Sequence, residues 1–309
     1  MDVKKIWIDT DTGVDDAIAM FIASKTDCLD VVGISAVAGN AELNYTFKNA
    51  RDVVYMAGKD YKVYKGADKP LIYPLRTAPM AHGVNGLGDA TIPESDAPIE
   101  EKPAWEALYE KAKELNGELN VVAIGPLTNI ALTLRVHPDF KDYCKEIFIM
   151  GGVATGGNAT PCAEFNIYAD PHAAREVFES GIFINMFGLD VTEKALLVKE
   201  DIEEIISYNN PPSNLFRDST SYLLKLYESQ HMYGLCEHDS CPIIYLIHPE
   251  LFKYEDCGVY VEADSEFTRG ETVVDIWSNI KFKDRHCRVF LDVDREKFAQ
   301  VIKDVYKQF

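Results

Sequence analysis

Residues 6–16 read Ile6-Trp7-Ile8-Asp9-Thr10-Asp11-Thr12-Gly13-Val14-Asp15-Asp16. Residues 3–8 form a predicted strand, and apolar positions recur at helical spacing from Asp15 onward, so four carboxylates fall in a strand-to-helix turn. In open α/β sheets this edge is where ligands bind. Carboxylates this close repel one another, and oxygen ligands without a basic partner suit a hard divalent cation. The alternative is a helix cap at Asp15 with the other carboxylates solvated, but capping needs only one acid.

The bulk composition is that of a globular protein with a large excess of acidic residues. The 309 residues are 47% hydrophobic and 26% charged, and the formal net charge is −19. Nucleic-acid polymers and anionic membranes need a basic surface, so we expect neither as a partner. The same charge is compatible with a small neutral nucleoside or sugar.

The expected location of the protein is the cytoplasm. No apolar stretch reaches the length of a membrane span, and the sequence runs directly into the first strand without a recognisable signal peptide. The seven cysteines are scattered and form no Cys-x-x-Cys pair. They indicate reduced, mostly buried thiols, as is usual inside cells.

Strand-like and helical segments alternate along most of the chain. Strands are predicted at 3–8, 31–37, 63–64, 119–124, 147–150, 183–187, 258–261, 272–277 and 288–292, and helices from 15 and at 45–57, 104–115, 127–134, 171–179, 199–206, 214–229, 241–246 and 294–309. The alternation predicts an α/β fold with an open, mostly parallel sheet and helices on both faces. We expect extra helices near 199–250 and a single domain over residues 1–309. Residues 66–103 form a predicted long loop, and such loops tend to be functional.

Two further polar clusters follow predicted strands. Asn40 comes after the second strand, where it could cap the next helix or contact a ligand. Asn158, Glu164 and Asn166 lie close together after a glycine-rich turn. Amides both donate and accept hydrogen bonds and carboxylates accept them, so this set suits the neighbouring hydroxyls of a sugar. An ordinary polar loop is the alternative.

A third cluster precedes a predicted helix. Asp239 could supply another oxygen ligand to the cation or cap the helix, and His238 could be a general acid or a core histidine. Cys236, His238 and Cys241 have a spacing loosely like that of zinc ligands. A zinc site is the weaker interpretation, because no second Cys/His pair lies nearby.

Aromatic and imidazole groups in two other places could face a flat ligand. His82 lies in a glycine-rich segment, residues 82–89, that could close over a substrate or form a flexible surface loop. Tyr227 and His231 are four residues apart and share a face of a predicted helix or its end. They could stack on a base or simply pack.

Taken together, these motifs resemble those of the inosine–uridine nucleoside hydrolases. The landmarks occur in the family's order and spacing over essentially the whole chain: residues 9–16, Gly39-Asn40, the His82 loop, residues 124–129, residues 150–152, residues 158–166 with Asp170-Pro171, and His238-Asp239. One departure is Thr12, where the family usually has proline. Threonine can make the same turn, so we expect little effect on metal binding.

The resemblance implies hydrolysis of the N-glycosidic bond of ribonucleosides, as in nucleoside salvage, with a tightly bound Ca²⁺. The implied ligands are Asp11, Asp16, the carbonyl of Ile124 and Asp239. Asp11 would also take a proton from a calcium-bound water, and Asp9 would support the ligands from behind. The implied ribose contacts are Asp15, Asn40, Met150, Asn158, Glu164 and Asn166. On the base side the implied residues are His82, His238, Tyr227 and His231, with His238 as the better proton donor; a homodimer or homotetramer is also implied.

Two other function classes compete with this interpretation. Haloacid-dehalogenase-like phosphatases also begin with a strand and Asp-x-Asp and use Mg²⁺, so Asp9 and Asp11 would fit. That class needs a later Ser/Thr, a lysine and an acidic pair at strand ends, and we find no convincing set. A non-catalytic nucleoside or ribose binder would keep the ribose contacts but would not need the water-activating Asp11.

Overall fold

The computed structural model describes residues 3–88, 90–229, 234–276 and 285–309, with only the backbone described at 222, 223 and 225–229. The strands are β1 Lys4–Thr10, β2 Leu29–Ala36, β3 Val63–Lys65, β4 Leu119–Ala123, β5 Cys144–Met150, β6 Ile184–Phe187, β7 Leu196–Leu197, β8 Leu235–Cys236, β9 Phe252–Cys257, β10 Val259–Val261, β11 Thr272–Val274 and β12 Cys287–Val293. The helices are α1 Val14–Ser24, α2 Leu43–Met56, α3 Pro79–His82, α4 Ala104–Leu115, α5 Thr128–Val136, α6 Phe165–Ala169, α7 Pro171–Phe178, α8 Leu189–Thr192, α9 Lys199–Ser207, α10 Pro211–Ser229, α11 Ser240–Ile247 and α12 Arg295–Tyr306.

Eight strands form the central sheet in the order β3-β2-β1-β4-β5-β6-β12-β9. All neighbouring pairs run parallel except β12 and β9, which are antiparallel. β1 and β4 are in register from Lys5 opposite Leu119 to Asp9 opposite Ala123. The predicted α/β fold with an open, mostly parallel sheet is thereby confirmed.

Helices cover both faces of the sheet, because side chains alternate between the faces along each strand. In β1, Ile6 and Ile8 belong to one apolar cluster and Trp7 to the other. The cluster of Ile6 includes residues of α1, α2 and α9 to α12, and the cluster of Trp7 includes residues of α4, α5 and α7. The helices α9, α10 and α11 are the additions expected near 199–250.

The strand order places a crevice at one edge of this sheet. From β1 the chain proceeds outward through β2 to β3, and it then returns to build β4, β5 and β6 on the other side of β1. The order therefore reverses between β1 and β4, and ligands of open α/β sheets bind at the carboxyl ends of the strands at such a point. Asp11 follows β1, and Ile124 follows β4.

The structure also contains elements that we did not predict. β9 forms the antiparallel edge of the sheet, and α6 is a five-residue helix directly before α7. The predicted strand at 272–277 is shorter, since β11 ends at Val274 and Trp277 lies outside the described residues. Among the described residues, no helix is long and apolar enough to cross a membrane. The single domain over residues 1–309 stays a prediction.

Candidate functional site

A cavity of about 300 Å³ opens at the predicted edge of the sheet. Its lining consists of Asp15, Asn40, Ala78, Ala81, His82, Ile124, Met150, Asn158, Ala159, Glu164, Phe165, Asn166, His238 and Asp239. Small-molecule sites begin at about this volume. Ten of the residues selected from the sequence thus line one cavity, although they are spread between positions 15 and 239 of the chain.

Acidic side chains from two helices meet at this cavity. One carboxylate oxygen from each of Asp15, Asp16 and Asp239 lies within 4.8 Å of the other two. These three oxygens are close enough to share a metal ion. The backbone amide of Gly13 donates to Asp16 Oδ2 over 2.8 Å, and Asn40 Nδ2 donates to the same oxygen over 3.1 Å. These two hydrogen bonds hold the Asp16 carboxylate in place at the start of α1. The three carboxylates therefore form a preformed group of oxygens that could hold a metal ion.

Asp11 lies beside this group and is fully buried. Its Oδ2 accepts a 2.6 Å hydrogen bond from the backbone amide of Asn40, while its Oδ1 is buried without a hydrogen-bond partner among the described residues. Within the same part of the chain, Asp15 Oδ1 is likewise buried without a hydrogen-bond partner. Unpaired buried carboxylate oxygens are costly, and a cation or a hydrogen-bond donor of a bound ligand would satisfy them.

Burial and mutual repulsion dominate the electrostatics of the acidic cluster. Burial raises the pKa of Asp11 well above its usual range, and the charges of Asp16 and Asp15 raise it further. Burial, with the charge of Asp15, raises the pKa of Asp16 to about 7. Burial and the charges of Asp15, Asp16 and Asp11 also raise the pKa of Asp239 well above its usual range. A bound cation would reverse these shifts, because it favours the charged carboxylates.

Asp9 lies behind the cluster at the end of β1 and does not line the cavity. Its Oδ1 accepts hydrogen bonds from Asn129 Nδ2, over 2.7 Å, and from the Ser35 hydroxyl. Burial raises the pKa of Asp9 to about 7, against the effect of these two hydrogen bonds. Asp9 thus links the end of β1 to Asn129 and Ser35 by hydrogen bonds and does not face a ligand in the cavity.

The loop after β5 adds amide and carboxylate groups to the lining of the cavity. Both oxygens of Glu164 accept backbone hydrogen bonds, from Asn166 over 2.8 Å and from Gly152 over 2.9 Å. Burial raises the pKa of Glu164 to about 7 despite these bonds. Asn166 Nδ2 donates to the carbonyls of Met150 and Ile124 over 3.1 and 3.3 Å. The loop is therefore held in shape by the side chains that the sequence suggested for sugar recognition.

Two histidines also line the cavity. His82 Nδ1 accepts a long hydrogen bond of 3.4 Å from the amide of Val14 and is 4.0 Å from Asp15 Oδ1. His238 Nδ1 is 2.8 Å from the Thr192 hydroxyl. Burial lowers the pKa of both histidines, and the charge of Asp15 opposes this shift in each. Both rings can donate or accept a hydrogen bond at the cavity.

The structure leaves two expected residues without a described side-chain position. Tyr227 belongs to α10, but only its backbone is described there, and His231 lies outside the described residues. Four lining residues were not foreseen: Ala78, Ala81, Ala159 and Phe165. They are apolar and carry no chemical signal, although Phe165 stands inside the predicted Asn158–Asn166 loop. The contact of Thr192 with His238 was also missed, since the two residues are 46 positions apart.

Comparison with known proteins gives a consistent result. The model of the inosine-uridine preferring nucleoside hydrolase family matches residues 6–300. The chain is 39% identical over 301 residues to the non-specific ribonucleoside hydrolase RihC of Escherichia coli, covering 97% of both chains. It is 37% identical to the pyrimidine-specific ribonucleoside hydrolase RihA of Shewanella woodyi, covering 97% of this chain and 96% of the relative. The purine-preferring ribonucleoside hydrolase of Gardnerella vaginalis superimposes with a TM-score of 0.92 at 30% identity, over 99% of this chain and 100% of the other.

Proposed function

This chain belongs to the inosine-uridine preferring nucleoside hydrolase family and hydrolyses ribonucleosides to a free base and ribose; we propose that Asp11 activates the attacking water beside a calcium ion and that His238 protonates the leaving base. The single observation that carries the proposal is the buried, unpaired Oδ1 of Asp11 next to the acidic group at the cavity. A buried carboxylate oxygen without a partner can accept a proton once a cation and substrate are in place.

Calcium fits the donor set because the available groups are oxygens. Asp11, Asp16, Asp239 and the carbonyl of Ile124 are the proposed ligands. Ca²⁺ takes six to eight oxygen ligands in flexible geometry, so water and substrate hydroxyls would complete the shell. When bound, the ion would hold and polarise the attacking water and orient vicinal ribose hydroxyls.

The ribose would lie between the acidic cluster and the loop after β5. Asp15, Asn40, Asn158, Glu164 and Asn166 are the proposed hydrogen-bonding partners of its hydroxyls, and Met150 would pack against the sugar. Glu164 and Asn166 are already fixed by backbone hydrogen bonds, so little side-chain freedom is lost on binding. Carboxylates around the ring would stabilise the positive charge that develops on the sugar as the bond to the base breaks.

The base would leave toward the two histidines. Cleavage of the C1′–N bond places an electron pair on the base nitrogen, which needs a proton or a hydrogen-bond donor. His238 is the proposed donor, and His82 would contact the base. Tyr227 and His231 are further proposed residues on this side of the site.

Three other properties are part of the proposal. We propose a cytoplasmic location, which the free state of all seven cysteines supports. A homodimer or homotetramer is proposed on the family resemblance alone. A small neutral nucleoside is the proposed partner, in keeping with the net charge of −19.

The first test is the release of reducing sugar from inosine, adenosine, uridine and cytidine, with calcium and again after chelation. Ribose release that is lost on chelation and restored by Ca²⁺ is the expected result, and the panel ranks the bases. Restoration by Mg²⁺ but not by Ca²⁺ would reject the calcium assignment. Tight nucleoside binding without turnover would instead support a binding protein, and release of phosphate from phosphate esters would support the phosphatase.

A further inference from the structure

His238 contacts the buried hydroxyl of a threonine. Its Nδ1 is 2.8 Å from the Thr192 hydroxyl, and Thr192 is completely buried. His238 itself lines the cavity. The edge of the ring that carries Nδ1 is therefore occupied by a buried hydroxyl, which leaves Nε2 as the nitrogen that can serve a ligand. Among the described residues, Thr192 Oγ1 has no other hydrogen-bond partner.

Thr192 is held in place by the structure around α8. The amide of Leu189 donates to the carbonyl of Gly152 over 3.0 Å, which ties the start of α8 to the loop after β5. The amide of Thr192 donates to the carbonyl of Gly188 over 3.1 Å. The hydroxyl consequently approaches His238 from a fixed backbone rather than from a loose surface segment.

We propose that Thr192 is a positioning residue that holds the His238 ring with Nε2 directed toward the leaving base. This inference rests on the proposed role of His238 in the hydrolysis. A threonine hydroxyl both donates and accepts hydrogen bonds. It accepts from Nδ1–H while the ring carries both protons, and it still accepts from Nδ1–H after Nε2 has given up its proton. The contact thus serves the ring before and after proton transfer.

The C1′–N bond breaks and its electron pair goes to the base nitrogen, which takes the proton from His238 Nε2. The water oxygen forms the new bond to C1′, and the proton that water loses goes to Asp11. Solvent then returns a proton to His238 and removes one from Asp11. No oxidant, reductant or further reactant is needed.

The test compares Thr192→Val, which keeps the shape of the side chain, with Thr192→Ser, which keeps the hydroxyl. The substrates are inosine, whose base needs a proton to leave, and 4-nitrophenyl β-D-ribofuranoside, whose leaving group departs as a stable phenolate. For Thr192→Val we expect kcat on inosine to fall by roughly tenfold or more, since general acids contribute about 10²- to 10⁴-fold. We expect kcat on the nitrophenyl riboside to stay within about twofold, and Thr192→Ser to recover most of the inosine rate.

A matched control separates positioning from packing. Thr133 is also completely buried, and its hydroxyl donates to a backbone carbonyl in α5 over 2.9 Å. Thr133→Val removes a buried hydroxyl that does not line the cavity. It should change kcat by no more than about twofold on either inosine or the nitrophenyl riboside. In addition, the ¹⁵N resonances of the His238 ring, identified by their loss in His238→Ala, should shift in Thr192→Val and remain in place in Thr133→Val.

The possible results separate the role of Thr192 from the role of His238 and from the hydrolysis itself. Equal losses on both substrates in Thr192→Val, or full inosine activity in that variant, would overturn the positioning role. Full inosine activity in His238→Ala would overturn the assignment of His238 in the proposed function, and the inference with it. Absence of ribose release by the wild-type protein from both substrates would overturn the hydrolase mechanism itself.

Discussion

The backbone amide of Asn40 donates a 2.6 Å hydrogen bond to Oδ2 of Asp11, and Asn40 also donates from its side chain to Asp16. One residue in the segment that follows β2 therefore orients two carboxylates that follow β1. Oδ1 is left as the Asp11 oxygen without a hydrogen-bond partner among the described residues, and it is the atom proposed to accept a proton.

Asp11→Asn should lower turnover strongly without unfolding the protein. The amide keeps the size of the side chain, but it cannot accept a proton from water and it brings one ligand oxygen fewer. We expect kcat to fall by about 10²- to 10⁴-fold, the usual contribution of a general base, and calcium affinity to fall as well. Ribose release and calorimetric titration with Ca²⁺ are the measurements. Asp68→Asn, at an exposed position, is the control; turnover near the wild-type rate in Asp11→Asn would remove Asp11 from the mechanism.

Removal of calcium should destabilise the protein more at neutral pH than at acidic pH. In the chelated protein the pKa of Asp16 is raised to about 7, from an ordinary value of 3.8. The folded state therefore binds this proton more tightly than the unfolded chain does. The contribution of protonated Asp16 to the free energy of unfolding is present below pH 4 and is lost as the pH rises through 7. Ca²⁺ compensates because it binds the charged carboxylates.

The measurement is the thermal midpoint of unfolding with Ca²⁺ and after chelation, from pH 5 to pH 8. We expect the gap between the two midpoints to widen as the pH rises. A gap that is constant or that narrows over this range would mean that the acidic cluster does not bind the cation.

Asn129→Ala should lower stability because it removes three contacts from one buried side chain. Asn129 Nδ2 donates to Asp9 Oδ1 over 2.7 Å and to the carbonyl of Ala36 over 3.2 Å, and its Oδ1 accepts from the amide of Ala67 over 2.8 Å. Leaving buried polar groups unsatisfied costs about 1–3 kcal/mol. Urea unfolding of the variant should show a loss of this size, whereas Asn44→Ala, at an exposed position, should unfold like the wild type.

Gly39→Ala should impair the site more than the fold. A Cβ at Gly39 would overlap the carboxylate of Asp11 and would also meet the ring of Pro126. We expect calcium affinity and kcat to fall together by at least about tenfold, since small misplacements of catalytic groups are costly, while the far-ultraviolet circular dichroism stays unchanged.

Gly181→Ala provides the opposite pattern as a control. No atom lies within 4 Å of a Cβ there, but the backbone φ of 86° is in the left-handed region. Such a residue costs about 1–2 kcal/mol of stability when it is not glycine, and turnover should remain. If Gly39→Ala also lost only stability, the close packing of Gly39 against Asp11 would have no role in the site.

Helices and strands could be predicted where apolar residues recur at regular spacing because one face of the element is buried. α4 begins and ends where the pattern places it, at Ala104 and Leu115. β9 escaped detection because residues 253–255 are all exposed, so the edge strand lacks an apolar alternation. α6 was missed because it has only five residues and begins directly after Glu164, whose side chain caps it by accepting from the amides of Asn166 and Ile167. A residue selected for sugar recognition was thus also a helix cap.

The site could be predicted because its polar residues follow strands, and parallel strands end at one edge of the sheet. The sequence offers no comparable signal for contacts made by neutral side chains. Phe165 lines the cavity as an apolar residue, and Thr192 reaches His238 only through the packing of α8. Such contacts depend on how helices sit against the sheet, which periodicity does not encode.

The distance along the chain between the acidic residues has a consequence for the newly made protein. During synthesis, Asp9, Asp11, Asp15 and Asp16 leave the ribosome more than two hundred residues before Asp239. The helix that follows Asp239, α11, packs directly against α1. With the proposed set of ligands, a cation can be bound only after the last third of the chain has docked, and a nascent or truncated polypeptide carries the repulsion among these carboxylates without a cation to offset it. In the proposed mechanism, ion uptake marks the completion of folding.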